Sequence, residues 1–260
     1  MTACKFRIVE WKNDHCTIRF KTSQPEGEAL DFCCLLQYRK AITKSKRCIR
    51  GKVPDHSQDW DPYCMHHGEG FNEPKALIVL VASAHADILK VQPLELVYEF
   101  EGQTLRYYPD FLIIWGDEIW IVEVKPDKYA EKNKARFEHI TKLLATHRMN
   151  FFLWKKSAIT AQPRYENARL VIRYQLCKIS VADRERIRLM FAQSPEILLR
   201  TLGDDDGRSA MKLLIEGMLH VDWWSTLSRD SILSVWPIGR QEWPNERTGG
   251  AERPTGDSRN

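Results

Sequence analysis

PDFLIIWGDEIWIVEVK, residues 109–125, places Asp110, Glu123 and Lys125 among isoleucines, valines and tryptophans. Gly116 and Asp117 are residue types suited to a two-residue hairpin turn of the primed kinds. With the turn there, equal steps back along each strand bring Asp110 directly opposite Glu123. Opposed residues share one sheet face with Cβ atoms about 4.5–5.5 Å apart, and Lys125, two residues on, shares that face. Two carboxylates so placed repel each other and lose solvation. A cation between them is the physical remedy: a divalent ion held by oxygen ligands, with Lys125 beside it to orient or deprotonate a water. The bland alternative is a surface salt-bridge cluster, which is worth little, but the flanking residues make this face too apolar for idle charge.

Outward from the hairpin, the pattern predicts strands near 94–100, 105–115 and 118–125. A helix over about 127–147 follows, with Phe137, Ile140, Leu143, Leu144 and His147 at helical spacing, then a short buried strand at 150–154. Strand, helix, strand is a parallel crossover unit. ARLVIRYQL, 168–176, reads as a further strand. Upstream, residues 4–20 read as two strands around an Asn-Asp turn, and 50–70 as loop. Asn72 as N-cap with Glu73 and Pro74 in the first turn begins a helix buried nearly all round. From 178 the reading is three short helices, in SVADRERIRLMFAQ, SPEILLRTL and, after a GDDDG break, SAMKLLIEGMLHVDWWSTL, then a strand-like SILSVW. Three helices and a wing suggest a winged-helix module, which binds proteins as well as DNA. Trp223 and Trp224 fall on the last helix, with one of them expected in the core. The expected divisions are 1–70, N-terminal strands and basic arm; 71–177, an α/β core with a mixed sheet; 178–243, a winged-helix-like domain; and 244–260, a disordered tail.

The chain has 260 residues, 43% hydrophobic, enough for a sizeable core. Its longest apolar run, ALIVLVASA, is too short to span a membrane, and no signal segment opens the chain. A soluble, cytoplasmic protein is expected. Seven cysteines without a CxxC pair argue for reduced thiols. Cys64, His66 and His67 near Cys48 lack zinc-ligand spacing and read as loop residues. Net charge is only +4, but it is unevenly spread. Between Arg39 and Lys52 stand Lys40, Lys44, Lys46, Arg47 and Arg50 with no acid, a solvated tail or a phosphate-binding arm, and the arm is the reading preferred. The helix bearing Lys128, Lys132, Lys134, Arg136, Lys142 and Arg148 has either a phosphate-tracking side or a merely solvated one.

Pro109-Asp110 followed by Glu123-Val124-Lys125 resembles the PD-(D/E)xK nuclease superfamily. Over roughly 39–176 the chain is similar to the TnsA-type endonuclease subunit of heteromeric cut-and-paste transposases. The cues are the basic stretch ending in RGKVP, NEPKALIVLV, Gln92-Pro93, RYYPDF, EVKP and ENARLVIRY. The resemblance implies a restriction-endonuclease-like mixed sheet with flanking helices. It implies Glu73, Asp110, Glu123 and Lys125 as catalytic set, with Glu73 preferred over Glu69. It also implies one or two Mg²⁺ ions, with Mn²⁺ as substitute, held by Asp110, Glu123, the Val124 carbonyl and Glu73. Double-stranded DNA at transposon ends would be cut at the 5′ ends, beside an integrase-like transposase subunit, while the C-terminal domain docks that subunit or an ATPase regulator. Competing readings are a freestanding restriction or repair nuclease and a catalytically silent DNA-binding adaptor.

Overall fold

The computed structural model describes residues 6–38, 50–55 and 64–235. The chain opens on an antiparallel hairpin, β1 (Arg7–Lys12) and β2 (Cys16–Thr22), as expected. Its turn is held by the Asn13 side-chain oxygen, which accepts from the amides of His15 and Cys16 at 2.9 Å each, the local bond that makes Asn a turn former. The described residues of 50–70 are not loop: β3 (Arg50–Asp55) pairs antiparallel with β4 (Cys64–Glu69). Proline, glycines and histidines hide any alternation here, and the pairing, with α1 (Glu73–Ser83) packed against both strands, makes the segment regular. The helix is buried nearly all round, as expected, but Asn72 makes no side-chain cap bond.

Next come β5 (Ile88–Val91), β6 (Leu94–Phe100), β7 (Gln103–Tyr107), β8 (Phe111–Trp115) and β9 (Glu118–Lys125). The strand expected over 105–115 is therefore two strands, because Pro109 cannot continue a ladder of amide donors. The expected helix over 127–147 is likewise two, α2 (Asp127–Lys132) and α3 (Lys134–Ala145), broken at Asn133. β10 (Met149–Lys155) then runs parallel to β9, followed by α4 (Lys156–Ile159) and α5 (Arg164–Val171). The predicted strand at 168–176 is thus a helix with a 3-10 turn at Ile172–Tyr174. Arg164, Asn167, Ala168 and Val171 are its buried residues, spaced i, i+3, i+4, i+7 on one helical face.

The C-terminal part comprises α6 (Val181–Gln193), β11 (Glu196–Leu198), α7 (Asp204–Ile215), β12 (Leu219–His220) and β13 (Ile232–Val235). It is two helices and a small sheet, ordered β11-β13-β12, rather than three helices. SPEILLRTL forms β11 and a 3-10 turn because it pairs with β13. GDDDG is no break: Gly203 is the N-cap of α7, and three aspartates occupy its first turn, where the helix dipole favours acids. Trp223 and Trp224 lie in a turn after β12, Trp223 buried and Trp224 half-buried. The tail from 244 lies outside the described residues.

Two four-stranded sheets carry the rest, β1-β2-β6-β7, all antiparallel, and β10-β9-β8-β5, which is mixed. The mixed sheet is covered on both faces. Phe111, Ile113, Val122 and Val124 face a core shared with α1, α5 and α7. Leu112, Ile114 and Ile121 face a second core with α3 and the inner side of the other sheet. Each fully buried Leu, Ile or Phe contributes about 1.5–3 kcal/mol, so the two cores clamp the central hairpin rigidly. The first core runs without interruption into the C-terminal part, through Ile187, Phe191 and Leu214. No helix among the described residues is long and apolar enough to cross a membrane.

Candidate active site

The chain changes sheet twice at one place. β5 hands over to β6 at Gln92-Pro93, and β7 to β8 at Tyr108-Pro109-Asp110. The two crossings touch: the Gln92 amide donates to the Asp110 carbonyl at 2.8 Å, extending the β5–β8 ladder by one step. Gln92 is buried and takes φ 45°, a left-handed turn that sends the chain away into the second sheet. Asp110 is thereby placed at the seam between the sheets.

The β8–β9 hairpin has the register expected from a Gly116-Asp117 turn, with Phe111 opposite Val122 and Trp115 opposite Glu118. One more step sets Asp110 against Glu123. Alternation puts both, with Lys125, on the face of Leu112 and Ile121. Asp110 Oδ2 accepts from the Val124 amide at 2.7 Å, and the Lys125 ammonium lies 3.6 Å from that oxygen and in contact with Glu123 Oε1. Asp110 is 6% exposed and Glu123 2%.

Glu73, in the first turn of α1, joins the group from the helix side. Its Oε2 accepts from the Glu69 amide at 2.8 Å, so the end of β4 anchors it. This contact needs a tight junction: a Cβ on Gly68 would lie 2.8 Å from the nitrogen of Pro74. Asp110 and Lys125 both act on the Glu73 carboxylate.

The electrostatics show too little positive charge. Burial first, then Asp110, pushes the Glu123 carboxyl up to about 8 despite Lys125. Burial and the Asp110 charge push Glu73 up to about 8 as well. Asp110 is raised by burial, partly offset by Lys125 and the Val124 amide. Burial alone would lower Lys125, but Asp110 and Glu123 hold it above its ordinary value. Since each pKa unit is about 1.4 kcal/mol, ionising all three carboxyls here costs several kcal/mol, and one lysine does not offset it. Glu123 Oε2 is buried without a hydrogen bond of ordinary geometry. Beside it lies the buried hydroxyl of Tyr107, whose pKa is raised by burial and by Glu123.

Among the described residues no three His, Cys, Asp or Glu side chains are already grouped as metal ligands. The Lys125 ammonium lies on both hairpin carboxylates. The oxygen donors and the deficit of positive charge nevertheless fit a hard divalent cation.

Of the basic arm, Arg39, Lys40, Lys44, Lys46 and Arg47 lie outside the described residues, Arg50 begins β3, and Lys52 is exposed on it. His66 is on β4 and buried, not a loop residue. Sequence reasoning passed over Tyr107 and a second buried acid, Glu95. The tyrosine pair preceding Pro109 was the available signal for the first. Nothing in the local pattern marked Glu95, whose partners come from three distant segments.

No curated protein matches the chain. Residues 88–156 match the family described as TnsA-like endonuclease N terminal. The match runs from β5 to the end of β10, which is the whole mixed sheet with its crossover helices, and contains Asp110, Glu123 and Lys125. Nuclease activity of a transposition-related kind is what this family supports, and the mixed α/β core is consistent with the PD-(D/E)xK superfamily. Over residues 88–156, then, the chain is similar to the N-terminal domain of TnsA-like endonucleases.

Proposed function

We propose that the chain is a Mg²⁺-dependent DNA endonuclease, the subunit of a transposase that hydrolyses phosphodiesters at the 5′ ends of transposon DNA. The observation that carries this reading is the Lys125 ammonium lying on both Asp110 and Glu123 inside the matched segment. Asp110, Glu123, the Val124 carbonyl and Glu73 would hold one or two Mg²⁺ ions, with Mn²⁺ able to substitute. Such an ion, when bound, neutralises charge building on the scissile phosphate and lowers the pKa of a bound water.

The chain's own groups do the rest. The Val124 amide fixes the Asp110 carboxylate at 2.7 Å, and the Glu69 amide fixes Glu73. Lys125 orients the attacking water and supplies positive charge beside the phosphate. Two-sided burial of the mixed sheet holds these groups in place, which favours catalysis by positioning. The order helix, strand, helix, strand, strand after residue 180, with sheet order β11-β13-β12, supports a winged-helix-like C-terminal unit that docks the integrase-like transposase or an ATPase regulator.

The test is strand-specific cleavage of transposon-end DNA with Mg²⁺, with and without the cognate transposase, comparing wild type with Asp110→Ala. Partner-dependent cutting at the 5′ ends, absent in the variant, supports the reading. Cutting of unrelated DNA without a partner would instead establish a freestanding nuclease, and transposition indifferent to Asp110→Ala a silent adaptor.

A further inference from the structure

Away from the carboxylates, the start of α7 opens a cleft of about 580 Å³. Buried Leu202 and Met211 lie along it, and exposed Arg200, Arg208 and Arg229 line it too. Arg200 pairs with exposed Asp230 at 2.8 Å, whereas Arg208 and Arg229 carry no ion pair among the described residues. Against these three cations the lining includes Asp204. Positive charge therefore exceeds negative in a concave site, where low-dielectric walls concentrate its field.

Gly207 gives independent support. It lies inside α7, where glycine costs about 0.5–1 kcal/mol relative to alanine, yet a Cβ there would meet nothing within 4 Å. No described residue packs against it, and close approach of a ligand to the helix would account for it. Gly203, which caps α7 without a side-chain bond, is equally open. Guanidinium forks match phosphate oxygens in pairs.

We propose that this cleft binds a phosphate of the DNA backbone, so that the C-terminal unit grips the duplex that the carboxylate site cuts. The proposal rests on the reading of DNA as substrate. Its second support is mechanical: α7 shares one continuous core with Phe111, Val122 and Val124 of the catalytic hairpin. A phosphate held at the cleft is thus held in a fixed relation to Asp110. The contact reads backbone rather than base sequence, so it adds affinity without specificity.

The experiment is fluorescence anisotropy with two labelled duplexes of unrelated sequence and the full chain carrying Asp110→Ala, in EDTA, across a salt series. Adding Arg208→Ala and Arg229→Ala should weaken both duplexes equally, by about tenfold or more at moderate salt, and reduce the slope of log affinity against log salt by about 2. Adding Asp204→Asn alone should tighten binding, with the thermal midpoint lowered by no more than a few degrees. Unchanged affinity and slope in the double variant would overturn the proposal, as would no DNA binding by the parent at low salt. Loss of binding to a polyglutamate peptide with DNA binding intact would assign the cleft to an acidic protein segment instead, also against it. Failure of wild type to cut DNA with Mg²⁺ bears on the nuclease reading alone and leaves the anisotropy result standing.

Discussion

Glu95 and Glu123 are both 2% exposed, on neighbouring sheets of one molecule, yet their surroundings push them in opposite directions. Glu95 accepts from Tyr108 at 2.5 Å, Arg19 at 3.1 Å, Tyr38 at 3.2 Å and Arg106 at 3.5 Å. Burial would raise its pKa, but these donors hold it below the ordinary carboxylate value. Glu123 shares one lysine with Asp110 and has an oxygen without a hydrogen bond of ordinary geometry among the described residues, and it rises to about 8. The first acid is satisfied by its own fold. The second is left short of positive charge, and a group kept in that condition is a candidate for function rather than stability. The lesson is that burial alone does not mark a site; the balance of donors does.

The strongest way to break this contrast is at the hairpin. Asp110→Ala should reduce cleavage about 100-fold or more, while its thermal midpoint stays within a few degrees of wild type, because removing one of three crowded carboxylates relieves repulsion. A gel cleavage assay beside a melting curve reads both. A large fall in midpoint would instead make Asp110 a structural residue like Glu95.

On stability the order should reverse. Glu95→Ala leaves two tyrosines and two arginines without their shared acceptor and should cost about 2–3 kcal/mol, whereas Glu123→Gln should stay within about 1 kcal/mol of wild type. Urea unfolding midpoints decide it, and equal losses would erase the distinction. Next in size, Gly68→Ala forces a Cβ to 2.8 Å from Pro74 and should cost about 1–3 kcal/mol. Because Glu73 is anchored across that junction, cleavage should fall as well. Retained activity with lost stability would show that Glu73 does not need the Glu69 anchor.

The smallest effect is with pH. A carboxyl whose folded pKa lies below its unfolded one adds stability above the unfolded value, near 4.5 for Glu95, and loses it as pH falls through the folded value. Acidification below about pH 4.5 should therefore narrow the stability gap between wild type and Glu95→Gln, as followed by urea midpoints at several pH values. A gap independent of pH would mean that the donors around Glu95 are not acting on its charge. Added Mg²⁺ should raise the thermal midpoint of wild type and not that of Asp110→Ala.

The central hairpin was legible because its information is local. A Gly-Asp turn sets the register of ten or so residues around it, and the pairing of Phe111 with Val122 follows by counting. The parallel return of β10 after two helices was legible for a similar reason, in the strand, helix, strand order. Within 50–70 the pairing of β3 with β4 is hidden because proline, glycines and histidines leave no local period to read, whereas 195–201 was illegible because β11 pairs with β13 some 35 residues on. At 168–176 a short apolar run fitted either period. Only packing of Asn167, Ala168 and Val171 into the core beside α1 and Trp223 made it a helix.

By itself, then, the sequence determined that Asp110, Glu123 and Lys125 share one sheet face, since turn chemistry and two-residue alternation leave no other arrangement. It also determined that the strand ending at Lys125 gains a parallel neighbour after the crossover. Tertiary structure alone decided that Glu73 meets them from α1, that Tyr107 lies against Glu123 and that Glu95 is satisfied while Glu123 is not. Those relations join segments tens of residues apart. They depend on how two sheets meet at a pair of prolines, a geometry set by burial of both cores rather than by any local pattern.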